Sequence, residues 1–380
     1  MENIEMNEIT RLYGSSILKS MLILTVVLVA ALFLLSSCDH HLDSQETEDK
    51  FWEQNDTYVT GHVDPEGSGF AVMVVKNGKI AFSKGWGMAN IESNIPFTPD
   101  TPSNLASLSK QFTATAILIL YERGKLNLDT KIIEHFPEFP IAWSEITIHH
   151  LLTHQSGIPN YTDLLEDGVT GYDGLTNQRA FELVLQEDNL DFTPGKQASY
   201  SNSGYLILAM LVERITDESY ADFLEETIFE PLDMDSTFVS DESVVYPQNV
   251  ALPYDENNEL YEYKEYTYGA GGIYSTLHDI YKWDQALYTD KIVSQSTLQL
   301  AFTGYTGGDN DYGYGWMVGQ HGKYPAYRHG GFMPGFLNYI YRVPGRNFTY
   351  LMISNGGVYA NDGFGTWTTV LMDKIFAYYL

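Results

Sequence analysis

Ser107-Leu108-Ser109-Lys110 sets a hydroxyl and an amine three positions apart, and a helical turn stacks residues so spaced on one face. A serine hydroxyl is a weak nucleophile until a base takes its proton, and a lysine desolvated by apolar neighbours can be that base. A helix N-terminus would add backbone N–H donors for a developing oxyanion. The chemistry so described is acyl transfer through a covalent serine intermediate. Ser16-Ile17-Leu18-Lys19 has the same spacing, so the motif alone does not decide. Two downstream stretches add to it. Tyr200-Ser201-Asn202, after Phe192-Thr193-Pro194-Gly195, brings a phenol whose proton a nearby ammonium would loosen and an amide that donates and accepts. Tyr359-Ala360-Asn361 repeats that pattern, but chain order and the Pro-Gly turn favour Tyr200. His329-Gly330-Gly331 stands just before Phe332 and a strand-like segment, and two glycines there would let a substrate backbone lie against a sheet edge.

These groups need elements to hold them. Phe70 to Val75, Asn77-Gly78 and Ile80 to Phe82 read as a hairpin with a tight turn of positive φ. Ser109 to Glu122 is apolar nearly all round and reads as a buried central helix ending near Gly124. Residues from about 130 to 300 hold further helical patterns, among them Tyr205 to Ile215 and Tyr220 to Phe229. Leu337 to Val343 and Thr349 to Ser354 are strand-like, joined by Pro344-Gly345-Arg346-Asn347, and Thr366 to Leu380 reads as a closing helix. The expected fold is α/β of the α+β type: an antiparallel sheet built from both chain ends, flanked by helices, with a mostly helical lobe inserted and a site in the cleft.

Together, the three chemical stretches resemble the β-lactamase and penicillin-binding serine hydrolases. The branch is that of class C β-lactamases, D,D-carboxypeptidases, D-aminopeptidases and esterases. The resemblance covers roughly residues 55 to 380 and includes Leu151-Leu-Thr-His154-Gln-Ser-Gly157-Ile-Pro159, Ala270-Gly-Gly-Ile-Tyr-Ser275 and Tyr312-Gly-Tyr-Gly-Trp316. It implies Ser107 as nucleophile, Lys110 and Tyr200 as shared base and acid, and Asn202 as a contact to the substrate amide. It also implies an oxyanion hole of the Ser107 and Phe332 backbone N–H groups, and no cofactor. His329-Gly330-Gly331 stands where the family has Lys-Thr-Gly, which removes a fixed cation and a hydroxyl that would grip a substrate carboxylate. His329 can replace the cation only if its pKa allows, and neighbouring Arg328 could supply or repel that role. Strong β-lactamase activity is not expected. Peptide or amide substrates, of D-amino-acid or cell-wall type, and esters are.

The 380 residues carry 21 Lys+Arg against 50 Asp+Glu, a formal charge of -29 that argues against nucleic-acid partners. The one cysteine, Cys38, excludes an intrachain disulfide framework. Arg11 and Lys19, the apolar run Met21 to Leu35 and Leu35-Ser36-Ser37-Cys38 follow the order of a secretion signal, and the last four resemble a lipobox. Residues 1–37 are then a lipoprotein signal peptide, 38–50 a flexible tether from lipidated Cys38, and 51–380 the catalytic domain. This puts the protein on the membrane surface of a bacterial cell envelope, exported. The apolar run is short of the roughly 20 residues that cross a bilayer.

A metal-dependent hydrolase would draw on His149, His150 and His154, but Leu151 stands where a zinc-protease motif needs Glu. A non-catalytic envelope receptor that binds or is acylated by cell-wall fragments is a second alternative. The chain has no Gly-x-Ser-x-Gly elbow, which argues against an α/β-hydrolase lipase.

Overall fold

The computed structural model describes residues 46–165, 171–308, 311–356, 359–360, 363–364 and 366–380. The leader, the lipobox with Cys38, and Asn361 lie outside them. The chain divides into two compact units, Met1–Gly61 and His62–Leu380.

In the first unit, residues 46–60 form helix α1. The tether expected over 38–50 is thus helical in its last five residues, where Glu46 and Lys50, four apart, form an ion pair of 2.6 Å. A polar, acidic stretch looks irregular by composition, yet Glu and Lys are good helix formers. The large unit starts at His62.

In the second unit, β1 (Phe70–Lys76) and β2 (Lys79–Trp86) form the expected hairpin, its turn residues Asn77 and Gly78 at φ 52° and 71°. Short β3 (Met88–Asn90) pairs with β4 (Ile95–Pro96). Then β5 (Ser103–Asn104) leads through a 3-10 turn, Ala106–Ser109, into α2 (Lys110–Glu122), which is buried from Lys110 to Leu120. Helices α3 (Ile148–Leu152), α4 (Asn177–Leu185), α5 (Asn202–Thr216) and α6 (Tyr220–Leu224) follow, α6 running on as a π-turn to Phe229. Next come β6 (Phe238–Val239), β7 (Ile273–Ser275), α7 (Leu277–Ala286) and α8 (Gln295–Ala301). The chain returns to strand as β8 (Asp311–Tyr312), β9 (Met317–His321), β10 (Tyr324–Met333), β11 (Phe336–Val343) and β12 (Phe348–Ser354). The pair β13 (Tyr359–Ala360) and β14 (Gly363–Phe364) precedes the closing helix α9 (Thr366–Tyr379).

The main sheet has the order β2-β1-β12-β11-β10-β9-β8, with antiparallel neighbours throughout. β1 pairs with β12, Phe70 opposite Ser354 and Lys76 opposite Phe348, so both chain ends do build one sheet with the helical lobe between them. Two features were not expected. The inserted region also carries strands β6 and β7, which join β5 in a small sheet of order β5-β7-β6 and whose two and three residues are too few for alternation to be read. His329-Gly330-Gly331, ahead of β11 as expected, lies inside a strand of its own, β10.

A buried ion pair ties α7 to the sheet. Arg342 of β11 donates to the Asp284 carboxylate with both side chains 1% exposed. The Thr349 hydroxyl donates to the same carboxylate at 2.9 Å, and the guanidinium sits 4.8 Å from the Tyr288 ring centroid.

Candidate active site

The nucleophile turn is held from below. Ala106 takes φ 48°, a left-handed conformation that costs a non-glycine residue about 1 kcal/mol, and its N–H donates to the Asn104 side chain at 2.8 Å. Strand β7 braces the turn on its other side: Leu105 N–H donates to Ile273 O at 2.8 Å, and Ile273 N–H to the Ser109 hydroxyl at 3.2 Å. In a 3-10 turn, residues three apart eclipse, which puts Ser107 over Lys110 at the first residue of α2.

Lys110 is fully buried and its amine has three contacts: Ser107 Oγ at 3.1 Å, Asn202 Oδ1 at 2.8 Å and Ala270 O at 2.8 Å. Burial holds its pKa well below the usual lysine value, partly opposed by the Glu265 charge. A neutral amine has two N–H donors and one lone pair. Asn202 Oδ1 and Ala270 O can only accept, so the lone pair is left for the Ser107 proton. This geometry can activate a serine.

Tyr200 precedes α5, hydrogen-bonds Ser107 through its hydroxyl and turns a 41% exposed ring to the cleft mouth. Burial of the hydroxyl raises its pKa, so the phenol stays protonated and the expected easy loss of its proton is not met. Lys110 and Tyr200 are pushed apart, one toward base and the other toward acid. Asn202 opens α5, its N–H donating to Asn160 Oδ1 at 2.9 Å. Its Oδ1 faces Lys110, which leaves its NH₂ group for a substrate carbonyl.

Ser107, Tyr200, Asn202, His329, Gly330, Gly331 and Phe332 all line one cleft of about 620 Å³, of a size usual for small-ligand sites. His329 is no stand-in for a lysine. It is 1% exposed, its Nδ1 donates to Gly330 O at 2.6 Å and its Nε2 accepts from the Tyr312 hydroxyl at 2.9 Å. Burial and the Lys110 charge bring its pKa down to about 3, so it is neutral at working pH. Arg328 does not replace it. It pairs with Tyr341, whose ring packs on Phe376 of α9 on the opposite sheet face, and it is not a lining residue of the cleft.

The glycines divide the expected task. A Cβ on Gly331 would lie 2.3 Å from Leu105 O, so its bare backbone serves to seat β10 against the nucleophile turn rather than to admit substrate. At Gly330 a Cβ would meet only ordinary contacts at 3.9 Å. Gly331→Ala is therefore expected to destabilise the protein by about 1–3 kcal/mol and to slow reaction at Ser107, while Gly330→Ala leaves stability unchanged. Urea melts of the two variants check this, and equal midpoints would refute the seating role.

The three histidines of the metal alternative have separate duties. His149 Nδ1 meets the Tyr314 hydroxyl at 2.8 Å, and His150 closes a capping box with Thr147. His154 lies beyond α3 at φ 58° and lines the cleft, with its ring centroid 4.3 Å from that of Tyr200. Its Nδ1 accepts the Ser201 N–H at 3.2 Å, so Nε2 carries the proton and is a buried donor without a protein partner among the described residues. His154 and the Ala270 carbonyl are site groups that the motif reading missed, although both sit in the stretches Leu151 to Pro159 and Ala270 to Ser275.

Residues 55–371 match the family described as Beta-lactamase. The chain belongs to the beta-lactamase family. Within it, the chain is 31% identical over 306 residues to penicillin-binding protein 4* of Bacillus subtilis, covering 75% of this chain and 67% of that protein. Among solved structures, an octameric penicillin-binding protein homologue from Pyrococcus abyssi aligns with a TM-score of 0.72 at 27% identity, over 83% of this chain and 74% of the other. A D-amino acid amidase from Ochrobactrum anthropi, complexed with D-phenylalanine, shares the fold with a TM-score of 0.72 at 22% identity, over 85% of this chain and 99% of that one. The chain is thus a serine hydrolase of the β-lactamase and penicillin-binding type.

Proposed function

We propose that the protein hydrolyses amide, peptide or ester bonds through an acyl-enzyme on Ser107, with small D-amino-acid or cell-wall peptides and esters as the substrate classes. The observation that carries this reading is the buried Lys110 amine, whose acceptor contacts leave its lone pair for Ser107. Lys110 takes the Ser107 proton as Oγ bonds to the carbonyl carbon. The oxyanion settles on the backbone N–H groups of Ser107 and Phe332. Tyr200 passes its proton to the leaving nitrogen or oxygen and takes back from Lys110, which lies against its ring, the proton that Lys110 had taken from Ser107, so the net transfer is from serine to leaving group. Water then retraces the path to release the acid.

Intact-protein mass after a fluorophosphonate probe tests the nucleophile, and turnover of D-amino-acid anilides, nitrophenyl esters and a chromogenic β-lactam tests the reaction. One adduct, lost in Ser107→Ala, together with turnover supports the proposal. An adduct without turnover of any substrate would favour an acylated receptor.

With His329 neutral and Arg328 on the other face, β10 offers no fixed cation to a substrate carboxylate. Peptides ending in a free carboxylate and their amide-capped forms should therefore be cleaved with kcat/KM values within about tenfold of each other. A strong preference for the free acid would contradict this.

The envelope location and the lipid anchor belong to the same proposal, supported by the order of charged residues, apolar run and Leu35-Ser36-Ser37-Cys38. Cys38→Ser in the full chain should leave the precursor uncleaved and abolish the mass of attached acyl chains. An unchanged mature mass would sink the lipobox reading.

A further inference from the structure

A second cavity, of about 480 Å³, shares no lining residue with the catalytic cleft. Its wall includes Asn104, whose side chain holds the strained Ala106 N–H beside Ser107, and Phe336, next to Leu337 of the cleft. One side of it is aromatic: the rings of Tyr246 and Tyr274 meet edge to face at 5.3 Å, and those of Tyr274 and Phe336 at 6.2 Å.

Glu265 lines the same cavity. Its carboxylate accepts the Thr267 hydroxyl, and no ion pair to it is formed among the described residues. Burial makes this carboxylate costly to keep charged and pushes its pKa up to about 7, only partly offset by the Thr267 hydrogen bond and the Lys110 charge. It carries no proton in the mechanism, although its charge acts on Lys110. Aromatic faces carry negative charge density, so a carboxylate beside a wall of rings describes a receptor for positive charge on an apolar body. Of the other charged lining residues, Asp173 and Glu262 are acidic and Lys264 basic. The net charge of -29 raises the local concentration of cations further.

We propose that this cavity binds an organic ammonium group, held between the Glu265 carboxylate and the Tyr246, Tyr274 and Phe336 rings. Such a group can be the amine end of a substrate whose carbonyl lies at Ser107, or a separate small amine. Its binding does not depend on Ser107 being reactive.

The test is calorimetric titration of the purified protein at about pH 8 with benzylamine, against uncharged benzyl alcohol of the same shape. Benzylamine should bind saturably and at least about tenfold tighter than benzyl alcohol, and Glu265→Gln should remove that advantage. Tyr246→Leu, which keeps the carboxylate, should also weaken benzylamine and serves if Glu265→Gln does not fold. Equal affinities for the two compounds, an advantage that survives in Glu265→Gln, or no saturable benzylamine binding would each overturn the proposal. Repeating the titration on protein labelled at Ser107 separates the two sources, since loss of binding marks a substrate subsite and retention an independent ligand.

Discussion

Lys110→Ala should slow acylation of Ser107 by about a thousandfold or more, with the fold intact. Lys110→Arg should do no better, since a guanidinium keeps its proton at any working pH and has no lone pair to offer. In the unaltered protein the reactive form of Lys110 is the neutral amine. The rate therefore rises with pH as the ammonium loses its proton, and falls below that pKa. Burial places that rise well below the usual lysine value of 10.5, while the upward shift of Tyr200 keeps its phenol protonated over the same range. Rates of fluorophosphonate labelling followed by intact mass across pH measure both effects. An acid limb near the ordinary lysine value, or a Lys110→Ala variant within about tenfold of the parent, would remove Lys110 as the base.

The second large effect concerns stability. Asp284→Ala strips the buried Arg342 guanidinium of its carboxylate partner, and a buried charge left alone costs about 3–5 kcal/mol. Arg342→Met in the same background removes that charge and should recover much of the loss, because a buried ion pair is itself worth little relative to apolar packing. Urea unfolding of the single and double variants gives the answer. A double variant no more stable than Asp284→Ala would mean that the pair's neighbours, chiefly Thr349 and Tyr288, carry the effect.

What the sequence made legible follows from which information side-chain type can hold. Ser107 and Lys110 could be read because their spacing is followed by a buried helix, and Tyr200 and Asn202 because chain order and the Pro-Gly turn before them single them out from Tyr359-Ala360-Asn361. The Ala270 carbonyl could not be read, since every residue has one and only the fold aims this one at Lys110. His329 could be placed but not given a charge, because its pKa depends on burial and on the Tyr312 hydroxyl seventeen residues before it in the chain. Gly331 was legible as a close approach, yet the partner is the protein's own Leu105 carbonyl. The long hairpin announced itself by its Asn-Gly turn and the central helix by a long apolar run closed at Gly124, whereas β5, β6 and β7 are too short to show any pattern.

The pairing of β1 with β12 also governs how the chain comes to fold. Gly69 N–H donates to the side chain of Asn355 across 286 positions, so the sheet's central contacts are among the most distant in sequence the chain can make. Pairings of that kind form late, after loop closure over most of the polypeptide, and fold slowly for that reason. During synthesis β1 has only β2 beside it, and its other edge, in the run Phe70-Ala-Val-Met-Val-Val75, waits for residues 348–354. A chain ending before Phe348 would keep that apolar edge open and aggregate through it, and full-length chains pass through the same exposed state until β12 arrives.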